Sequence, residues 1–151
     1  VRLSLRARPD AVGALSAALG VALPTRPKTS SRNGDRHALW LGPDEWLVLE
    51  LGTLDPLAAL ASASVLHSAV DVSHRNTAVI VSGPMAAAVI NAGCPLDLAG
   101  SAFPVGACTR TILGKAEIVL YRTGAETFRV ECWRSFSDYV MTYLSDAARG
   151  V

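Results

Sequence analysis

Five residues within a span of six, Asp71, Ser73, His74, Arg75 and Asn76, form the densest cluster of groups in the chain able to move a proton or hold an anion. An imidazole titrates near neutral pH, so His74 could act as acid or base with Asp71 orienting it, and Arg75 could fork onto a carboxylate. The same residue types build turns, because the short side chains of Asp, Ser and Asn hydrogen-bond to nearby backbone. Polar turns outnumber active sites, and the cluster is read first as the turn between two strands.

Elsewhere the residue types that carry chemistry are scattered. No nucleophile elbow, P-loop or dinucleotide fingerprint is present, and His37, His67 and His74 have no metal-ligand spacing between them or with cysteine. No catalytic, cofactor-binding or metal-ligating residue is therefore assigned to this chain. Cys94 precedes Pro95 at the partially negative end of an expected helix, which disfavours a thiolate and favours packing. Trp40, Trp46 and Trp133 suit a partner surface or a core equally well. Arg110 and Arg134 border strands and could bridge subunits. The candidate subunit interface drawn from these readings is Trp40, Trp46, Asp71, His74, Arg75, Asn76 and Arg134.

The elements that position these groups follow from periodicity. Residues 1–6 alternate apolar and polar, the pattern of a strand with one wet face, expected at a sheet edge. Pro9 and Asp10 open a helix through Leu19, stopped by Gly20. Residues 23–35 are rich in Pro, Ser and charge and read as an extended, mobile connection and turn. Residues 37–51 (HALWLGPDEWLVLEL) read as a hairpin with both faces covered, followed by a helix from Asp55 to about Ser64 and a strand over 66–72.

Ala78, Val79, Ile80 and Val81 predict a strand central in its sheet. Ser82 and Pro84 suit the start of a helix running to about Ala92, with Gly93 as its left-handed cap. Residues 108–113 and 116–122 flank the two-residue turn Gly114-Lys115, and 127–133 gives a third strand with Phe128, Val130 and Cys132 facing one way. Phe136, Tyr139, Val140, Tyr143, Leu144 and Ala147 mark a last helix, with Ser135 and Asp138 as a capping-box-like start. A strand-strand-helix unit recurs, which argues for one α+β domain over 1–151 built by duplication, with helices packed on antiparallel sheets.

Composition sets outer bounds. Fourteen basic and 13 acidic residues leave a formal charge of +1, too little to attract a nucleic acid backbone or an anionic membrane. Half the residues are hydrophobic and 18% charged, pointing to a partner-covered surface or an alanine-rich core. Three separated cysteines, an odd number, indicate no disulfide framework and fit a reducing cytoplasm. Arg2, Arg6 and Arg8 ahead of the apolar stretch 11–23 imitate a secretory signal, but Asp10 and the short apolar length favour an ordinary helix.

Several segments together resemble the gamma subunit family of heterotetrameric sarcosine oxidases: LGPDEWLVL (41–49), DVSHRNTAVIVSGP (71–84), GCPLDL (93–98), FPVGACTRTILGKA (103–116) and ETFRVECWRSFSDYV (126–140). The resemblance implies a complex that oxidatively demethylates sarcosine to glycine and yields hydrogen peroxide. Its one-carbon unit leaves as formaldehyde or 5,10-methylenetetrahydrofolate. It implies alpha, beta and delta partner subunits, with FAD, FMN, NAD and tetrahydrofolate held by the partners, zinc in the smallest, and none of these on this chain. It also implies a fold similar to the folate-binding domain of the glycine-cleavage aminomethyltransferase and a structural, non-catalytic role. A free-standing folate or one-carbon binding module is the alternative. The lysine-glycine-cysteine-tyrosine signature of folate-dependent iron-sulfur assembly proteins is replaced by Ala92-Gly93-Cys94-Pro95.

Overall fold

Alternation of Leu3, Leu5 and Ala7 with polar neighbours buries one face of the first strand, β1 (Arg2–Ala7), and this begins the first of two compact units, Val1–His74 and Arg75–Val151. The computed structural model describes all 151 residues. In the first unit β1 leads through a 3₁₀ turn (Pro9–Ala11) into α1 (Val12–Leu19), which Gly20 ends at φ 68°. Then come β2 (Ser30–Asn33), β3 (Arg36–Gly42), β4 (Glu45–Glu50), α2 (Pro56–Leu60) and β5 (His67–Asp71). The sheet is antiparallel throughout, in the order β2-β3-β4-β1-β5. Leu15 and Leu19 of α1, Leu60 of α2, and Leu3, Leu5, Trp46 and Val48 of the sheet make its core.

The second unit runs β6 (Asn76–Ser82), α3 (Ala86–Asn91), β7 (Cys108–Leu113), β8 (Ala116–Gly124), β9 (Thr127–Trp133), a 3₁₀ turn (Arg134–Phe136) and α4 (Ser137–Arg149). Its antiparallel sheet has the order β6-β9-β8-β7. Phe128, Val130 and Cys132 of β9 face inward as expected, against Val89 and Ile90 of α3 and Val140 and Leu144 of α4.

The two units are copies of one plan. Each has strand, helix, three strands and helix, with the first strand lying beside the last of the three. In both, a two-residue connection joins the first pair of the three strands (Asn33↔Arg36; Leu113↔Ala116). The leading glycine of that connection, Gly34 or Gly114, sits at φ 59° or 57°, where a β-carbon would be strained. Both also carry a register irregularity before the next turn, between Trp40 and Gly42 and between Arg122 and Gly124. The α+β duplication expected from the sequence is present, but its repeat is longer than strand-strand-helix. The extra strand is β2, whose Ser30-Ser31-Arg32-Asn33 has no apolar face to announce it and is held by pairing with β3.

Two expectations about sheet position invert. β1 is interior, paired with β4 and β5, and β6 is an edge strand paired only with β9. Face alternation reports which side of a strand is dry, and pairing runs in the perpendicular direction, so neither pattern fixes the number of neighbours. Helix ends differ as well. α2 stops at Leu60, α3 begins at Ala86 without a cap from Ser82, and the turn Arg134–Phe136 displaces the capping box at Ser135. Asp55 does cap α2, accepting from the Leu57 amide at 2.9 Å.

Gly93 serves close approach, not a left-handed turn: its φ is not positive, and an added β-carbon would lie 2.6–2.7 Å from three atoms of the Tyr143 side chain. The Tyr143 hydroxyl donates to Ala92 O at 2.9 Å, which holds the ring there. Gly93→Ala is expected to cost about 1–3 kcal/mol, the usual range for overpacking, measured by urea unfolding. A loss under about 0.5 kcal/mol would mean the ring swings aside freely.

Candidate subunit interface

The polar cluster falls where the chain leaves one unit and enters the other, between His74 and Arg75. On the first unit's side, Asp71 ends β5 and its Oδ1 accepts from the Ser73 amide at 2.8 Å, an Asx-type turn. The Ser73 hydroxyl oxygen accepts from the Arg2 amide at 2.8 Å, and the Val72 amide donates to Arg2 O at 2.8 Å. These bonds tie the strand end to β1. The Ser73 hydroxyl and amide hold the Asp71 carboxyl below its ordinary pKa, with a smaller contribution from the charge of His74. Asp71 thus spends its hydrogen bonds on Ser73, which favours the turn over a proton relay.

The sign of that shift gives a pH prediction. A depressed carboxylate pKa stabilises the fold above the ordinary value of 3.8 and stops doing so as pH falls through the lower folded-state value. Asp71→Asn should therefore melt slightly below the wild type at neutral pH, by a small margin because the carboxylate is solvent-exposed. Titrating both proteins downward from pH 4 should close that margin. A gap that persists in acid would place its origin elsewhere.

On the second unit's side, Asn76 is buried and opposes Trp133 across the β6–β9 pair. Its Oδ1 accepts from Arg75 Nε at 3.1 Å, and the Arg75 guanidinium carbon stands 5.2 Å from the centre of the Trp133 ring, a cation–π distance. The Arg134 amide donates to Arg75 O at 2.7 Å, and Arg134 Nη2 reaches Asn76 O at 3.5 Å. Trp133 is 46% exposed and Phe136, three residues on, 41%. Two exposed arginines, Arg75 and Arg134, and the half-exposed Trp133 ring therefore share one stretch of surface. Aromatic and arginine side chains with that exposure dominate protein–protein recognition.

The remaining candidates are placed differently. Trp46 is 1% exposed in the first unit's core, with Nε1 donating to Pro24 O at 2.8 Å, so its indole serves packing and a backbone tie. Trp40 packs half-buried against the same core. Trp133 is absent from the interface set drawn from sequence, yet the signal was there: Phe128, Val130 and Cys132 point inward, so the next residue points out.

All three cysteines are buried and none is in a disulfide, and no three His, Cys, Asp or Glu side chains gather as metal ligands would. No helix is long and apolar enough to cross a membrane. A polar recess of about 370 Å³ in the first unit borders Arg36 and Glu50, which pair at 2.7 Å, and an apolar groove of about 470 Å³ in the second borders β6, α3 and α4.

Comparison with known proteins gives a consistent set of matches. The family model described as "Sarcosine oxidase, gamma subunit family" matches residues 5–150. The sarcosine oxidase subunit gamma of Corynebacterium sp. strain U-96 is 34% identical over 155 residues, covering 97% of this chain and 74% of that protein. The subunit of the same description from Arthrobacter sp. is 33% identical over 152 residues with the same coverage. A chain in the solved heterotetrameric sarcosine oxidase from Corynebacterium sp. U-96, in complex with pyrrole 2-carboxylate, superposes with a TM-score of 0.91. It is 33% identical, and the match covers 97% of this chain and 77% of that one.

Proposed function

Because the chain belongs to the sarcosine oxidase gamma subunit family, we propose that it is a structural, non-catalytic subunit of a cytoplasmic heterotetrameric sarcosine oxidase, docked on alpha, beta and delta partners. In this reading the assembly demethylates sarcosine oxidatively to glycine. Hydrogen peroxide is formed, and the one-carbon unit leaves as formaldehyde or 5,10-methylenetetrahydrofolate. FAD, FMN, NAD and tetrahydrofolate are held by the partner subunits. The family match runs across both compact units, which supports treating 1–151 as one gamma-like domain.

The observation that carries this reading is the half-exposed Trp133 ring stacked by Arg75, a guanidinium whose hydrogen bond goes to a neutral amide. Such a pair binds an acidic or aromatic partner surface and performs no bond-breaking step. Arg75, Trp133 and Arg134 of the second unit form the centre of the proposed interface, with buried Asn76 bonded to both arginines, and Asp71 and His74 of the first unit are further candidates in the same reading.

The test is co-elution. A tagged chain expressed in its native host and lysed gently should bring three further polypeptides and a yellow flavin chromophore. Titration of the isolated chain with tetrahydrofolate should give no heat, whereas the folate-module alternative requires it. Oxidation of an N-methyl amino acid by the purified chain alone would overturn the structural role.

A further inference from the structure

In both units the end of the first helix is tied to the turn that joins the next two strands. The Gly114 amide donates to Gly93 O at 2.9 Å in the second unit, and Asn33 Nδ2 donates to Gly20 O at 2.8 Å in the first. What stands over that junction differs. A β-carbon on Gly93 or Gly114 would run into Tyr143 or Tyr139, whereas one on Gly20 or Gly34 would meet nothing within 4 Å. Gly20 and Gly34 instead line the polar recess of about 370 Å³.

The second helix of each unit accounts for the difference. Residues 55–60 and 139–144 share one order of exposure: exposed, buried, exposed, exposed, half-buried, buried. Pro56 and Leu60 of α2 thus match Val140 and Leu144 of α4. That register sets Asp55 in the place of Tyr139 and Ala59 in the place of Tyr143. Two rings are exchanged for a short carboxylate and a methyl group, so the recess has the outline of a ring that this unit does not supply.

Its floor is polar. The Arg36 side chain is 10% exposed, with Nε engaged by Glu50 and Nη1 by Leu19 O. Nη1 makes there the bond that the Tyr143 hydroxyl makes to Ala92 O, each carbonyl standing one residue before the helix-end glycine. Every side-chain nitrogen shut away from solvent has a hydrogen-bond partner, and Nη2 has none, so Nη2 is the end of the guanidinium that opens on the recess. The Asp35 and Glu50 carboxylates border the same space and disfavour an anion, while the guanidinium disfavours a cation. A neutral hydroxyl can accept from Nη2 and donate to Asp35.

We propose that this recess is a binding site for an uncharged phenol, its ring over Gly20 and Gly34 and its hydroxyl at Arg36 Nη2. Leu54, 67% exposed, lines the same recess and would cover the apolar edge of the ring. The class includes free phenols and the tyrosine side chain of a polypeptide. The site lies within the first unit and is independent of the subunit reading.

Titration of the isotope-labelled chain with para-cresol, the tyrosine side chain as a free molecule, followed by amide NMR, tests it. Saturable shifts of the Gly20, Gly34 and Gly52 amides are expected, with a Kd on the order of 1 mM for so small a ligand. Para-toluate, which carries a carboxylate in place of the hydroxyl, should bind at least about tenfold more weakly. Ala59→Tyr installs the ring that Tyr143 supplies in the second unit and should weaken para-cresol binding at least about tenfold, while Ala59→Ser leaves the space open and should bind as the wild type does. N-acetyltyrosinamide binding as tightly as para-cresol supports the site and assigns it to a tyrosine of a polypeptide; para-cresol binding alone supports it and assigns it to a free phenol. Shifts that do not saturate, or that spare Gly20 and Gly34, overturn the proposal. So does para-toluate binding as tightly as para-cresol, a comparison that needs no variant to fold.

Discussion

Glu50→Ala should remove roughly 3–5 kcal/mol of stability, the loss expected when one partner of a buried ion pair is deleted. Arg36 and Glu50 face each other across β3 and β4, and their side chains are 10% and 2% exposed. Glu50 Oε2 accepts from Arg36 Nε at 2.7 Å and Oε1 accepts from the Gly52 amide at 3.0 Å, while Arg36 Nη1 donates to Leu19 O at 2.6 Å. Truncation strands a guanidinium with only a carbonyl for company and leaves an amide unbonded. Urea unfolding monitored at Trp40 and Trp46, both in the same unit, reports the loss. Replacing both partners, Arg36→Met with Glu50→Leu, should recover most of it, because the pair's attraction is largely offset by its desolvation. A single substitution costing under about 1 kcal/mol would mean that water from the adjoining polar recess already solvates the arginine.

That ion pair also marks a boundary of what sequence shows. Glu50 lies next to the end of the expected hairpin 37–51 and Arg36 immediately before its start, and nothing in their spacing says that both are buried. Their burial follows from the pairing register and from the carbonyl of Leu19, seventeen residues away. The hairpins, the inward face of β9 and the two-residue turn at Gly114 were legible because each is a local pattern of period two closed by a turn residue. Neighbour count in the sheet was not, and β1 and β6 exchanged roles for that reason. Gly93 shows the same limit at one residue. A glycine after a helix has two explanations, a left-handed φ or a close neighbour, and only the position of Tyr143 decides between them.

For the candidate site, the cluster at 71–76 was visible as a turn, and its hydrogen bonds to Ser73 and Asn76 are those that short polar side chains make. The stack of Arg75 on Trp133 was not visible, because it joins residues 58 positions apart through the β6–β9 register. Of three tryptophans that composition leaves equivalent, the fold buries one, half-buries a second and presents the third.

That presented residue supports the second large effect. Trp133→Ala should weaken association with the partner subunits by about 2 kcal/mol or more, roughly a 30-fold rise in Kd, as interface tryptophans typically do. The isolated chain should barely notice. Trp133 is 46% exposed, and a cation–π contact at an exposed position contributes only about 0.5–1 kcal/mol to folding. Arg75→Ala should weaken association less, and Arg75→Lys should fall between wild type and alanine, since an ammonium keeps the charge but loses the planar stack and the Nε bond to Asn76. Surface plasmon resonance with the captured partner subunits gives Kd for the three variants, and a thermal melt of each isolated variant gives the folding contribution. If Trp133→Ala lowers the melt substantially while leaving Kd unchanged, the ring is a packing element at the end of β9. The docking surface must then be sought elsewhere.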